Sequence, residues 1–244
     1  MSIPTRVALV TGGAVRVGKA IVVHLAARGW AVAFTYRTSG RAAEALRQEL
    51  ESEGCSALAL AADLDDARTR RALIDETLAH FGRLDALVNN AAVFPRTDFA
   101  ALDEPGLLAV LQTNLVAPLM LARDSADALR TSRGCVVNLL DVLAQRPIRG
   151  HLPYLVSKAA LEAATRVLAV ELAPQARANG IAPGIALFPD DYDDATRHRL
   201  VRRTLLGRAG SPEEIARAVE YLLVGAPTMT GQVLILDAGR SIPS

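Results

Sequence analysis

Short apolar runs alternate with helix-length amphipathic stretches along the whole 244-residue chain. This alternation limits the fold more than any other feature. Strands are predicted at 6–10, 31–36, 57–61, 86–89, 135–140, 178–182 and 233–236. Helices are predicted between them, at 17–28, 41–53, 67–81, 104–130, 154–172 and 212–224. Strands separated by helix-length segments are repeated βαβ units, and such units build a parallel sheet. The expected fold is therefore α/β, a doubly wound Rossmann-type parallel sheet of seven strands with helices on both faces. Seven strands in one regular series leave no natural boundary, so 1–244 is read as a single domain. The least regular stretch, 183–195, holds Pro183, Pro189 and four Asp residues and is expected to be a loop.

Composition supports this. Apolar residues make up 51% and aromatics 4%. The core must then be Ala, Val, Leu and Ile, which suits strands buried on both faces. The net charge of +1 argues against a nucleic-acid binder, which usually carries a basic excess. Cys55 and Cys135 are too few and too far apart to imply a disulfide framework or a zinc site. The start of the chain lacks a charged segment followed by an apolar one. No apolar run reaches about 18 residues, so no membrane span is expected and the cytoplasm is the default location. Of 27 basic residues, 25 are Arg; Lys19 and Lys158 are the only lysines. Arg cannot replace Lys where a compact, tunable ammonium is needed.

Thr11-Gly12-Gly13-Ala14-Val15-Arg16-Val17-Gly18-Lys19 follows the first strand and opens the first helix. Glycines there let the backbone approach a pyrophosphate, and the helix start offers N–H groups and a positive dipole end. A glycine-rich turn alone is weak evidence; its position after strand one strengthens it. An NAD-specific site usually has an acidic residue at the end of strand two. Here the residues are Tyr36-Arg37-Thr38-Ser39. Arg37 can pair with a 2′-phosphate, with two hydroxyls beside it. Arg16 adds a second guanidinium, so NADPH is the expected cofactor. Asp63-Leu64, after strand three, is placed to meet the adenine; for Asp63 a helix-capping role is the alternative.

Tyr154 and Lys158 stand four residues apart at a helix start, which puts both on one face. An ammonium beside a phenol is expected to lower the phenol pKa and make it an acid usable near neutral pH.

In order along the chain, Thr11-Gly12…Gly18, Asp63-Leu64, Asn89-Asn90-Ala91, Asn114, Tyr154…Lys158, Pro183-Gly184 and Asp237-Ala238-Gly239 resemble the short-chain dehydrogenase/reductase family over essentially the whole length. The resemblance implies that Tyr154 donates a proton. It implies that Lys158 binds the nicotinamide ribose and tunes Tyr154, and that Asn114 holds a water linking Lys158 to solvent. It places Asn90, Ala91, Pro183 and Gly184 at the cofactor, and it implies a homotetramer.

Three departures from the family pattern stand out. Arg16 occupies a usual Gly position. Asp141, thirteen residues before Tyr154, stands where the family has a catalytic Ser. Leu187 lies where a Thr often follows Pro-Gly. Arg16, the Arg-containing turn, Asp141 and Phe94 together resemble the pteridine and dihydromonapterin (dihydrofolate) reductase subgroup. That resemblance implies reduction of a dihydropterin, or of dihydrofolate, to the tetrahydro form. The pterin would stack between Phe94 and the nicotinamide, with Arg16, Asp141, Tyr154 and Leu187 around it. Ala92 departs from relatives that carry a hydroxyl there. A carboxylate at Asp141 would repel the oxyanion of a polarised ketone, which argues for a pterin. The alternatives are a carbonyl reductase acting on a 3-oxoacyl thioester or sugar ketone, and a regulator that binds NADPH without turnover. His151 reads as a loop spectator, and His24, His80 and His198 have no metal-ligand spacing, so no metal is expected. The Asp190–Asp194 run reads equally as a lid or as solvated surface.

Overall fold

The computed structural model describes residues 5–188 and 192–242. The seven strands are β1 (Val7–Val10), β2 (Ala31–Tyr36), β3 (Ala57–Ala61), β4 (Ala86–Asn89), β5 (Cys135–Leu139), β6 (Arg177–Pro183) and β7 (Val233–Leu236). They form one all-parallel sheet in the order β3-β2-β1-β4-β5-β6-β7. The predicted doubly wound α/β fold is the observed one. The chain reverses its direction of travel across the sheet between β1 and β4. Ligands of such sheets bind at this point, outside the carboxyl ends of the strands.

The strands are apolar on both sides because helices cover both faces. Ala8 and Val10 of β1 point to one face, where they join Phe34 and the helices α1 (Arg16–Ala27), α2 (Gly40–Ser52) and α9 (Pro212–Glu220). Val7 and Leu9 point to the other. There they meet Leu73 of α3 (Ala67–Phe81), Leu121 of α5 (Ala117–Asp124), Leu129 of α6 (Ala126–Ser132) and Leu172 of α7 (Leu152–Leu172). Asn89 donates to Asn138 (2.8 Å) and Asn138 to Thr165 (2.9 Å), which locks β4, β5 and α7 together beneath the site.

The helix predicted as one piece over 104–130 is instead α4 (Glu104–Leu111), a π turn (Gln112–Val116), α5 and α6. Amphipathic periodicity does not register a single inserted residue, so the π turn was invisible to it. A second π turn, Tyr221–Gly225, follows α9. α8 (Asp194–Val201) starts inside the predicted loop and is capped by Asp193, which accepts from the Thr196 N–H. It has no buried residue, so no apolar stripe announced it. Pro189, Asp190 and Asp191 lie outside the described residues. The 104–124 stretch is not an unbroken apolar run, but its mean hydropathy is high. By length and composition it is apolar enough to cross a membrane. Here it is interrupted by the π turn and packs against α3 and α7.

Candidate active site

A cleft of about 480 Å³ opens at the switch point. Its walls include Gly12, Arg16, Val17, Gly18, Tyr36, Arg37, Thr38, Ser39, Asp63, Leu64, Asn90 and Ala91, together with Val93, Thr113 and Tyr154. The loop after β1 is tied down from behind. Thr35 Oγ1 accepts from Gly12 N–H (3.0 Å), and Thr11 Oγ1 accepts from the N–H groups of Asn90 and Ala91 (both 3.0 Å). Asn90 Nδ2 donates to the carbonyls of Thr11 (2.8 Å) and Gly12 (3.1 Å), so Asn90 clamps the glycine loop. A Cβ on Gly18 would run into the Gly12 carbonyl oxygen, so only glycine fits there. Gly12 is left-handed at φ 63°.

Arg16 is also left-handed, at φ 55°. The position suits glycine, and an Arg there costs about 1–2 kcal/mol of backbone strain. That strain falls on a residue that lines the cleft. A glycine cradle at a helix start, with Arg16 and Arg37 on the walls and no acid at the end of β2, fits a dinucleotide bearing a 2′-phosphate. Asp63 does not cap α3. Asp66 does, accepting from Thr69 N–H at 2.9 Å, while Asp63 accepts from Asp65 N–H at 3.0 Å and shapes the turn. Arg70, which drew no notice in the sequence, is buried and donates to the Leu64 carbonyl at 2.5 Å.

Tyr154 and Lys158 sit in the first two turns of α7, as their spacing predicts. The Tyr154 hydroxyl donates to Asp141 Oδ2 at 2.7 Å. Asp141 Oδ1 accepts from Leu143 N–H at 2.8 Å, so the carboxyl caps a 3-10 turn and is held in one orientation. Lys158 Nζ donates to the Leu139 carbonyl at 2.6 Å and lies 5.8 Å from the Tyr154 ring centre. Burial pulls the Lys158 ammonium down to about 8, with Asp141 opposing. Burial pushes the Asp141 carboxyl up, against its hydrogen bonds from Leu143 and Tyr154 and the charge of Lys158. Tyr154 also moves up, through burial and then Asp141. This reverses the expectation that Lys158 lowers the phenol pKa: burial dominates, and the hydroxyl is bonded to Asp141 rather than to the ammonium.

Asn114 lies in the π turn and is fully buried. Its amide donates to the Val93 carbonyl (2.9 Å) and Ser157 Oγ (3.1 Å) and accepts from Val93 N–H (2.9 Å). Both side-chain hydrogens are spent, one on the segment that carries Phe94 and one on Ser157 of α7. Phe94 is 43% exposed and packs edge-on to Tyr154, with centroids 4.5 Å apart. One face of its ring is already covered by His151, stacked at 4.2 Å. His151 Nδ1 lies 3.1 Å from the Pro95 carbonyl, so the histidine dismissed from sequence braces the aromatic. Asp141, Lys158, Phe94, Pro183, Gly184 and Leu187 do not line the cleft itself; Asp141, Lys158 and Phe94 adjoin it through Tyr154. Gly184 is packed so closely on Asp237 that a Cβ would approach its Cα to 2.8 Å. Arg240 stands in no motif that marks it; its charge acts on Asp141. Among the described residues no group of three or more His, Cys, Asp or Glu is placed to hold a metal.

The family described as enoyl-(acyl carrier protein) reductase matches residues 13–241. The 3-oxoacyl-(acyl-carrier-protein) reductase of Staphylococcus aureus is 31% identical, over 96% of this chain and 98% of the relative. Pteridine reductase 1 of Leishmania tarentolae is 32% identical, over 97% of this chain and 96% of the relative. A double-mutant short-chain dehydrogenase/reductase of Serratia marcescens superposes with a TM-score of 0.91 at 32% identity, covering 98% of this chain and 100% of that one. The chain belongs to the short-chain dehydrogenase/reductase family. Both an oxoacyl reductase and a pteridine reductase stand among its relatives at nearly equal identity, so kinship alone does not single out a pterin.

Proposed function

We propose that this protein is an NADPH-dependent carbonyl reductase acting on a 3-oxoacyl thioester or a related ketone. The observation that carries the reading is the Tyr154–Asp141 hydrogen bond with its partly buried carboxyl. An ionised Asp141 would repel the oxyanion that develops on a ketone and so would favour a pterin. Burial favours the neutral carboxyl, and a neutral carboxyl donates a hydrogen bond as a Ser hydroxyl does. The objection to a ketone then falls away. The oxoacyl reductase relative supports the same reading.

Gly12, Gly18, Arg16 and Arg37 would hold the nucleotide, with Tyr36, Thr38, Ser39, Asp63 and Leu64 on the same walls. NADPH, when bound, supplies a hydride to the substrate carbon. Tyr154 presents its hydroxyl proton to the substrate oxygen, and Asp141 orients that hydroxyl and returns a proton to it. Lys158, pinned by the Leu139 carbonyl, keeps a positive charge beside the pair. A carbonyl that gains one hydride and one proton leaves as an alcohol.

The second reading is reduction of a dihydropterin. Phe94 favours it, because a half-exposed flat ring beside Tyr154 suits a flat heterocycle. Asp141 would then serve a ring nitrogen, with Arg16 and Leu187 as further contacts. A cytoplasmic homotetramer is part of the proposal; the exposed apolar side chains of Val167, Val170 and Ile235 support association between copies. The discriminating experiment is NADPH oxidation against acetoacetyl thioester, a sugar ketone, dihydrobiopterin and dihydrofolate. Turnover of the thioester or ketone supports the first reading, and turnover of the pterins alone the second.

A further inference from the structure

A second cavity, of about 640 Å³, lies behind the catalytic pair. One wall is Val142-Leu143, directly after Asp141, and Leu143 also packs against Tyr154 and Leu155. The other walls carry Arg146, Arg203 and Arg240. We propose that this cavity is an anion subsite, in which the three arginines hold a phosphate or carboxylate group on the substrate at a distance from the carbonyl being reduced. The proposal rests on the reductase reading and names the class of substrate it takes.

Three observations carry it. The first is pairing. Among the described residues, eight of the other 22 arginines are matched with acids, among them Arg47 with Glu44 and Glu51, Arg83 with Asp85, Arg166 with Glu162 and Arg208 with Glu214. Among the described residues Arg146, Arg203 and Arg240 form no salt bridge within 4.0 Å. Burial pulls the Arg240 guanidinium below its ordinary value, and repulsion from nearby Arg203 adds to it, against the charges of Asp141 and Asp237. Two like charges held near each other, neither in a salt bridge, make a favourable place for an anion.

The second observation is that the site is built. Asp237 accepts from the N–H groups of Gly239 (2.8 Å) and Ser241 (2.6 Å), which fixes the turn that presents Arg240. Asp237 is thereby spent on backbone. Arg146 donates to the Arg240 carbonyl at 3.3 Å, and Leu206 N–H donates to the Ala238 carbonyl at 3.1 Å. The turn is anchored from both sides before any ligand arrives.

The third is coupling to the chemistry. Asp141 and Arg240 act on each other's charge, so the cavity and the catalytic pair are neighbours. An anion seated among the arginines would neutralise positive charge that favours ionised Asp141, and so would favour the neutral carboxyl. Guanidinium groups take both phosphate and carboxylate in two-point contacts, so the shared chemistry is an oxyanion of either kind.

The test uses wild type, Arg203→Gln and the Arg203→Gln/Arg240→Gln double variant, with the nucleotide cleft filled by NADP⁺. Arg203 is exposed, so its single substitution keeps the fold even if the double variant does not. Calorimetric titration with inorganic phosphate and, separately, with glutarate reads the subsite without turnover. At least one anion should bind wild type, and its affinity should fall about tenfold in Arg203→Gln, as expected for one lost charge-assisted contact. The tighter of the two names the source, a phosphate ester or a carboxylate. The kinetic arm compares acetoacetyl phosphopantetheine with the uncharged N-acetylcysteamine thioester. A phosphate subsite predicts a KM at least about tenfold lower for the phosphorylated substrate, with the ratio falling toward one in Arg203→Gln. No binding of either anion, or binding equally strong in the variants, overturns the subsite. Anion binding that tracks the arginines with no turnover of any carbonyl instead overturns the reductase reading alone.

Discussion

The Tyr154 hydroxyl donates to Asp141 Oδ2 at 2.7 Å, and both groups are pushed toward their neutral forms by burial. The proton that completes the reduction is therefore held by a pair, not by an isolated phenol. Tyr154→Phe keeps the ring packing against Phe94 but removes the donor. Turnover should fall roughly 10²–10⁴-fold, while NADPH binding, read by its fluorescence, should stay close to wild type. Activity near wild type in this variant would show that the donor is elsewhere.

The pH dependence has a defined sign. The active forms are protonated Asp141 and protonated Lys158, so both proton losses lie on the alkaline side. The Lys158 limb is expected at about 8. In Asp141→Asn the side chain stays neutral at every pH, so the limb due to Asp141 should vanish from kcat/KM for NADPH, which reports the free enzyme, and the one alkaline limb left should be that of Lys158. A variant profile that still shows two alkaline ionisations contradicts the assignment.

Much of the fold was readable because period and spacing are properties of the chain itself. β2, β3, β4, β7 and α3 end where the sequence pattern ends. The glycine loop and the Tyr154–Lys158 pair were readable because their chemistry depends on local spacing. The π turn at Asn114, the helix α8 and the Arg146–Arg203–Arg240 cavity were not. Each depends on residues far apart in sequence or on an insertion that leaves periodicity almost unchanged. The direction of the Tyr154 shift was misread for a related reason. Spacing placed Lys158 on the right helix face, but only three-dimensional packing shows its Nζ bonded to the Leu139 carbonyl and Asp141 bonded to the hydroxyl.

Nucleotide preference follows from the end of β2. Arg37, Thr38 and Ser39 line the cleft with no acidic residue among them. A charge-assisted contact to a 2′-phosphate contributes about 1.5–3 kcal/mol, so kcat/KM should favour NADPH over NADH by at least about tenfold. Arg37→Asp should erase or reverse that preference. Equal use of both nucleotides by wild type would remove Arg37 from the site.

Arg16 gives a stability test with an opposite functional sign. Its left-handed backbone suits glycine, so Arg16→Gly should stabilise the fold by about 1 kcal/mol through relief of strain. The same change removes a guanidinium from the cleft wall, and NADPH should bind about tenfold more weakly. Chemical denaturation and nucleotide titration measure the two effects separately. A variant that loses stability, or binds NADPH as wild type does, contradicts this account of the loop.

The most direct test of the central claim is steady-state NADPH oxidation by the wild-type protein with acetoacetyl thioester and dihydrobiopterin side by side. The account predicts that the thioester is reduced with kcat/KM at least about tenfold above the pterin, a difference of about 1.4 kcal/mol in transition-state binding. Efficient reduction of dihydrobiopterin with no NADPH consumed on the thioester would contradict it.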